Sequence, residues 1–405
     1  MRISLLAAGL TLLGFAAADV SVLRADEAVV VPGIADGPPR EALIGWPIPE
    51  SGRTTSWSVF AEGRQIPSQV IEEGTRLCWK GKAGRGADEA TRFEIRPAKG
   101  ETAADDSTAE RSEEGIELRT RNGSRAVVTY HTQERLPDGV DAVFRRSGHL
   151  HPLRSPRGKA LTDEFPADHL HQHAIFFAWV NTEFRGKHVD FWNQPAREGT
   201  VRHHDVEQVW SGSLLSGFRA SLEHVAFPGG ETVALNERWT VQGGRLGRFH
   251  LVDVDSDQRA ATAEPLLLKK YHYGGFAVRG SAGWGEADQG GTGAVFLTSD
   301  GKGRIDGNHA HCTWVRVTGK VGGEPCGLLA LSHPDNFRSP QAVRIHPKMP
   351  YFVFSPCVDG EFRISRDEPL RSRYRVLAFD GEMTPEECEA AWNDYARPLT
   401  AAKAP

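Results

Sequence analysis

The sequence predicts a mostly β protein built around a large antiparallel β-sandwich. Short runs of alternating apolar and polar residues, separated by glycine, proline and charged turns, continue from residue 28 to near residue 380. Three pairs of such runs enclose short turns, which indicates antiparallel hairpins. A single strong helix signal lies near the C-terminus, and no repeat of about 20–50 residues indicates a propeller. Many hairpins with one helix favour a sandwich.

The first 25 residues have the features of a secretory signal peptide. Arg2 supplies a positive charge, residues 3–18 are apolar and small residues follow, so cleavage can fall after Ala18 or after Ala25. The apolar run is shorter than the about 20 residues of a membrane-spanning helix, although an uncleaved anchor is the alternative. We therefore expect an exported protein, periplasmic or extracellular, without membrane contact after signal removal.

The remaining chain divides into three predicted parts. Residues 26–98 hold short alternating runs such as RLCWK and RFEIRP, which predict a small N-terminal β unit. Residues 99–114 contain almost no large apolar residue and are predicted to form a linker or long loop. The main β-sandwich domain is expected over residues 115–398, and it carries the candidate site.

The main domain contains the three hairpin signals. The first covers residues 115–132 with Asn122-Gly123 as its turn, a pair that tolerates the positive φ angles of a type I′ turn. The second turns at Gly229-Gly230, and the third covers residues 312–332 with Gly322-Gly323 at its centre. Each turn is flanked by alternating residues, so antiparallel pairing is predicted in all three.

One helix is predicted, over residues 384–396. Thr384 can cap its N-terminus, Pro385 suits its first turn, and Glu387 completes a capping box. Pro398 ends it.

Composition and motifs exclude several classes of function. A formal net charge of −5 provides no basic surface for nucleic acid or anionic lipid, so no nucleic-acid partner is expected. The five cysteines are an odd number without a C-x-x-C pair, so they predict neither a disulfide framework nor a zinc knuckle. No nucleotide-binding, zinc-protease or serine-hydrolase motif is present.

Histidines concentrate in one region. Five of the sixteen lie between residues 149 and 173, and three of these occupy alternate positions in the stretch ADHLHQHAIFFAW. On an extended strand His169, His171 and His173 would share one face. Their spacing of about 6.6–6.8 Å along a strand rarely allows three successive side chains to reach one small ion.

Two chemistries fit this cluster, and packing is a third explanation. Two imidazoles could ligate a metal with a distant carboxylate, or with His149 or His151 from the preceding strand. Alternatively, one histidine and a carboxylate such as Asp168, Asp163 or Asp190 could act as acid and base on a sugar ring. In a purely structural role the histidines would form hydrogen-bonded corners beside an aromatic core.

Two further stretches suggest loops that carry chemistry. KKYHYGGFAVRG places Tyr271 and Tyr273 on one face, interrupts the strand with two glycines and ends near Arg279. LSHPDNFRSP places His333 and Asn336 between an apolar strand and a proline, where polar side chains suit ligand binding, or a local turn. We expect both stretches and the histidine stretch to line one cleft.

Several motifs resemble a bacterial family of exported proteins of unknown function, whose members are often named "methane oxygenase". The resemblance covers about residues 115–398 and rests on RSGHLHPL, TDEFPADHLHQH, the FFAW block, YHYGGFAVRG and LSHPDNFRSPQ. Ala174 stands where the family has glycine. Methane monooxygenase activity is not expected, since nothing after residue 25 can cross a membrane. The resemblance implies a galactose-mutarotase-like supersandwich, in which ligands sit on a concave sheet face.

These observations lead to the hypothesis of an exported carbohydrate-active protein, an enzyme such as a hydrolase, lyase or epimerase acting on a small sugar or oligosaccharide. His169 and His171 would be acid–base groups or ligands of one divalent metal, Asp168 would orient a histidine, and His333 is a further catalytic candidate. The predicted substrate-binding residues are Arg146, His151, Trp179, Trp192, Tyr273, Arg279 and Asn336. The alternatives are a non-catalytic carbohydrate-binding module and a histidine-ligated metalloenzyme.

Overall fold

The computed structural model describes residues 27–31, 37–83, 91–98, 106–285 except 122 and 124, and 293–404. The predicted signal peptide lies outside these residues. The first strands are β1 (Glu27–Val31), β2 (Arg40–Pro47), β3 (Trp57–Ala61), β4 (Arg64–Ile66), β5 (Ser68–Ile71), β6 (Arg76–Ala83) and β7 (Thr91–Pro97). They are followed by β8 (Ser107–Arg111), β9 (Gly115–Thr120), β10 (Val128–His131), β11 (His149–Leu150), β12 (Ile175–Ala178), β13 (Thr182–Phe184), β14 (Lys187–Val189) and β15 (Gly199–Trp210).

The second half of the chain also consists mostly of strands. Its strands are β16 (Leu215–Ala226), β17 (Thr232–Leu246), β18 (Phe249–Ala260), β19 (Leu266–Leu268), β20 (Gly275–Arg279), β21 (Val295–Thr298), β22 (Trp314–Val321), β23 (Glu324–Ser332), β24 (Val343–Ile345), β25 (Tyr351–Phe354), β26 (Phe362–Ile364), β27 (Leu370–Asp380), β28 (Leu399–Thr400) and β29 (Ala402–Lys403). Helix α1 spans Pro385–Ala396.

Two eight-stranded antiparallel sheets form the sandwich. The front sheet has the order β24-β25-β20-β12-β11-β10-β9-β8, and the back sheet has the order β15-β16-β17-β18-β27-β23-β22-β21. The ring of Tyr374 on the back sheet stacks on Phe276 of the front sheet, with centroids 4.2 Å apart and planes at 7°. Alternate residues of each strand therefore point into the shared core and the others to the outer faces. The predicted sandwich is confirmed.

The hairpin predictions are also confirmed. Strands β9 and β10, β16 and β17, and β22 and β23 pair antiparallel. Gly229 and Gly230 adopt φ angles of 88° and 104°, and Gly322 and Gly323 of 62° and 82°, which only glycine adopts without strain. Asn122 of the first turn lies outside the described residues.

The segment predicted as a linker contains a strand. Residues 107–111 form β8, which pairs with β9 at the edge of the front sheet. The Ser107 hydroxyl is buried and contacts that of Ser216 at 2.8 Å. The prediction of a linker is therefore wrong for these five residues, because backbone pairing and small side chains support a strand that lacks large apolar residues.

The N-terminal strands form two small sheets, which the C-terminus completes. Their orders are β29-β1-β7-β3-β4 and β28-β2-β6-β5, so the chain returns to its beginning after helix α1. These sheets have their own core, which includes Trp46, Trp57 and Trp79. The helix has the predicted capping box at Thr384. Helix and small sheets cover the outer face of the back sheet through a further apolar cluster.

All five cysteines are buried free thiols. Among the described residues, no helix has the length and apolar character required to span a membrane.

Candidate functional site

The histidine stretch forms turns, and the prediction that it is a strand is wrong. Residues 166–172 make two successive turns, closed by the amides of His169 and Gln172 at 2.9 Å each. The turns lie between Phe165 and Ala174, whose φ angles of 51° and 57° interrupt the extended backbone on both sides.

The turns separate the three histidines. The rings of His169 and His171 are 5.4 Å apart, and both side chains are partly exposed. His173 is buried, and its Nε2 is 3.0 Å from Oε1 of Gln194. His173 therefore supports the fold, while His169 and His171 remain accessible.

Arg279 of strand β20 holds this loop from the outer face of the front sheet. Its guanidinium donates to both carboxylate oxygens of Asp168, at 2.9 and 3.2 Å, and to Oε1 of Gln172 at 2.9 Å. Arg279 is 4% exposed, whereas the Asp168 side chain is 30% exposed. Arg279 is predicted to bind substrate, but its guanidinium instead forms an ion pair with Asp168 of the protein itself. Asp168 lies 3.8 Å from Nδ1 of His169, beyond hydrogen-bond distance, so its role as an orienting group stays a prediction.

Further titratable groups surround this ion pair. The ring of His346, from the loop between β24 and β25, is 6.4 Å from that of His169. Burial lowers the pKa of His171 and of His346 to about 4, so both imidazoles are neutral at pH 7. Burial raises the pKa of Asp163 to about 6, against the opposing charge of Arg279. We call these six residues the Asp168 cluster: Asp163, Asp168, His169, His171, Arg279 and His346.

A row of rings extends from the cluster to the tyrosine stretch. Tyr351 lies 6.0 Å from His346 and 6.2 Å from Trp192, whose ring is 5.2 Å from Tyr273. The amide of Asn193 donates to the Tyr273 hydroxyl at 2.9 Å. Trp192 is only 1% exposed, so its predicted stacking against a ligand is wrong, while Tyr273 is partly exposed and accessible.

Two other predicted ligand contacts are buried. Trp179 faces the sandwich core, where its Nε1 donates to Oε1 of Gln258 at 2.8 Å. Arg146 is 1% exposed and packs on the Phe176 ring at 4.9 Å, and it donates to the Phe177 carbonyl at 3.2 Å. Neither Trp179 nor Arg146 can contact a substrate in this conformation, so the prediction that they bind it directly is wrong. Strand alternation turns Trp179 into the core, whereas Arg146 is buried by its packing on the Phe176 ring.

A second group of histidines lies on the same outer face. Ligand atoms of His131, His149 and Glu164 all lie within 4.8 Å of one another, close enough to hold a metal ion. Nε2 of His149 is 2.7 Å from Glu164, and the guanidinium of Arg135 is 3.2 Å from both Glu164 and His131. The predicted ligands His169 and His171 are not part of this group. His151 instead contacts Thr162 at 3.1 Å.

The Arg135 guanidinium makes metal binding unfavourable here. It already supplies the positive charge that a cation would bring to Glu164, and it would repel a cation at that distance. Burial also lowers the pKa of His131 and of His149, so neutral imidazoles hydrogen-bond within the group. Hydrogen bonds and ion pairs join these residues, although Nδ1 of His149 is buried without a hydrogen-bond partner among the described residues.

His333 and Asn336 lie on the opposite side of the sandwich. The ring of His333 contacts Tyr395 of helix α1 at 5.2 Å, and its Nε2 is 3.3 Å from Arg373 of β27. Asn336 donates to the Arg373 carbonyl at 2.9 Å. Arg373 adjoins core-facing Tyr374, so it points to the outer face of the back sheet. The expectation of one cleft for all three stretches is therefore wrong, since His333 lies at the outer face of the back sheet and the Asp168 cluster at that of the front sheet.

Sequence reasoning missed several members of both groups. His346 stands in RIHPKMP, His131 in a core strand and Glu164 in an acidic pair, and none of these patterns indicates a site. Only the fold brings them next to the histidine stretch. Asp163, in contrast, is one of the three carboxylates that the sequence indicates as a possible acid or base.

Comparisons with known proteins concern the fold and the family. A glycosyl hydrolase family 38 protein from Enterococcus faecalis is 9% identical to this chain, with a TM-score of 0.43. The aligned part covers 94% of this chain and 47% of that protein. The GH36 α-galactosidase AgaB from Geobacillus stearothermophilus is 11% identical with a TM-score of 0.29, covering 71% of this chain and 41% of its own. The chain thus spans less than half the length of these proteins, and scores at this level support no inference about activity.

No curated protein matches the sequence. A family model does, over residues 117–393, which is more than half of the chain. The protein therefore belongs to a family of unknown function, DUF6807.

Proposed function

We propose that this protein is an exported enzyme that acts on a sugar or glycoside by acid–base chemistry at the Asp168 cluster. The observation that carries the proposal is the ion pair of Arg279 with Asp168, which fixes a partly exposed carboxylate beside accessible, neutral imidazoles. A general base must be deprotonated and held in position; burial keeps the His171 imidazole neutral, and Arg279 holds the loop that carries it. The buried guanidinium keeps the carboxylate in place without occupying the exposed side of the cluster.

The neighbouring groups suit a polyhydroxylated substrate. The Tyr273 hydroxyl and the Asn193 amide hydrogen-bond each other at 2.9 and 3.3 Å, and both oxygens keep a lone pair that can accept from a sugar hydroxyl. Tyr271, 5.3 Å from Tyr273, adds a partly exposed ring that can cover the apolar face of a pyranose. Between Tyr273 and His346 lie the buried rings of Trp192 and Tyr351, so a substrate that contacts both the tyrosines and the imidazoles would be an oligosaccharide.

The experiment is a screen of glycosides and oxidised sugars, followed by kinetics of His171→Gln on any substrate found. Glutamine keeps part of the hydrogen-bonding shape of the imidazole and loses its titration. We expect turnover to fall about 10²–10⁴-fold, the usual contribution of general acid–base catalysis, with much less effect on binding. His188→Gln is the matched control, because His188 is exposed and paired with Glu198, away from the cluster; its turnover should equal that of the wild type.

The same assays distinguish the two alternatives. If several sugars bind, none is altered, and His171→Gln binds them equally, the protein is a binding module. If activity is lost on chelation and restored by one divalent metal, the His131, His149 and Glu164 group becomes the candidate centre. Export is tested separately, by finding the mature protein in the periplasm or medium with a new N-terminus.

A further inference from the structure

A cavity of about 150 Å³ lies on the outer face of the back sheet, on the far side of the sandwich from the Asp168 cluster. Strands β18 and β27 form its floor, and helix α1 and strands β2 and β6 of the small sheets form its walls. This volume is well above the about 10–15 Å³ that one water molecule needs. The cavity is thus large enough for a small organic molecule.

Charged groups of opposite sign alternate around the cavity. Arg375 and Asp253 form a double hydrogen bond of 2.6 and 2.8 Å, and Arg40 and Asp394 form another with both distances 2.6 Å. A third pair is looser, since Arg373 and Asp255 are 3.6 Å apart. The cross-strand register of β18 and β27 places Asp253 opposite Arg375 and Asp255 opposite Arg373.

One buried hydroxyl has no partner. Tyr395 of helix α1 lines the cavity, is 5% exposed, and its hydroxyl makes no hydrogen bond among the described residues. The Arg375 guanidinium lies 4.7 Å from its ring centroid and fixes the ring. Buried hydroxyls are almost always hydrogen-bonded, so this one indicates a missing partner. The ion pairs around the cavity do not supply this partner for the Tyr395 hydroxyl.

We propose that this cavity is a second binding site, for a neutral polyhydroxylated molecule of the size of one monosaccharide. A hydroxyl group both donates and accepts, so it can bridge a carboxylate and a guanidinium of alternating pairs. A charged ligand would instead compete with pairs that are already formed. The apolar part of the wall can contact the C–H face of a sugar ring, and its residues include Leu43, Leu215, Leu246, Phe249 and Leu377. The inference does not depend on activity at the Asp168 cluster, because its test measures binding alone.

The test is calorimetric titration of the full chain with D-glucose, D-galactose and myo-inositol, and with the singly charged analogues D-glucuronate and D-glucosamine. Tyr395→Phe removes only the hydroxyl, and should weaken binding of the neutral ligand about 3- to 10-fold. Ala391→Phe, from the same helix, fills the cavity and should abolish binding. His171→Gln changes the opposite face, so it should bind at this site like the wild type. Thermal unfolding of each variant verifies its fold.

Three results would overturn the proposal: no neutral ligand binds the wild type, Ala391→Phe binds as well as the wild type, or the charged analogues bind more tightly. Loss of binding in His171→Gln with retention in Ala391→Phe would assign the sugar to the Asp168 cluster instead. Tyr395→Phe should leave any turnover at the Asp168 cluster unchanged, so failure of one proposal leaves the other testable.

Discussion

Asp163→Asn should stabilise the protein at neutral pH, although it removes a carboxyl from the Asp168 cluster. Burial raises the pKa of Asp163 from 3.8 to about 6, so the folded protein disfavours the ionised form. A tenfold difference in proton affinity is worth about 1.4 kcal/mol, which sets the cost of ionised Asp163 at about 3 kcal/mol at most. The contribution of Asp163 to the free energy of unfolding is fully present below the pKa that this group has in the unfolded chain. It is lost as the pH rises through about 6. Asparagine has the same shape and does not ionise.

The assay is urea unfolding of wild type and variant at pH 4.5 and pH 8, with EDTA present so that no metal occupies neighbouring Glu164. The stability advantage of Asp163→Asn should grow by about 2 kcal/mol between these pH values. Asp138→Asn replaces an exposed carboxylate and is the control, for which no such growth is expected. A constant difference between Asp163→Asn and wild type, or a variant that is less stable at pH 8, would refute the reasoning. Loss of turnover together with gained stability would identify Asp163 as a functional acid.

Two other predictions follow from buried charge. Glu237→Gln should lower the free energy of unfolding by about 3 kcal/mol, because it breaks a fully buried pair with His224 at 2.7 Å. The control is Asp257→Asn, which removes exposed ion pairs and should lower it by less than about 1 kcal/mol. A loss below about 1 kcal/mol for Glu237→Gln in urea unfolding would contradict this prediction. Protein purified without a histidine tag should retain little zinc by elemental analysis, because the Arg135 guanidinium repels a cation beside Glu164. The variant Arg135→Gln should retain more zinc. A stoichiometric metal in the wild type that is lost in His149→Gln would show that the guanidinium does not exclude the ion.

The parts of the fold that could be predicted are those determined by neighbouring residues. A glycine pair between two alternating runs favours a hairpin turn, and Gly229-Gly230 and Gly322-Gly323 form such turns. The capping box of helix α1 likewise involves residues only three positions apart, Thr384 and Glu387. Strand β8 was missed because its stability comes from pairing with β9 and a buried contact of Ser107 with Ser216, distant in sequence.

The candidate site could be predicted only in part, because its geometry depends on contacts between distant residues. Alternating histidines predict a strand face, yet two turns and a long-range bond from Arg279 to Gln172 override that pattern. His346 reaches His169 from a loop more than 170 residues away, which no local pattern indicates. His333 and Asn336 are polar residues in a rigid loop, as expected of a site, but strand direction places them on the other face.

The stretch from Asp168 to Trp179 combines chemistry and packing in successive parts. Its first part is the loop that presents Asp168, His169 and His171, and its second part is strand β12, which alternates between the two faces of the front sheet. Trp179 is bonded through Gln258 to Glu237 in the sandwich interior, at 2.8 and 3.1 Å, so it ties the front sheet to the back sheet. A loop anchored to so rigid a strand can hold its carboxylate and imidazoles within the small tolerance that proton transfer requires. The aromatic block therefore supports the loop that carries the histidines, and its Trp179 lies in the sandwich interior.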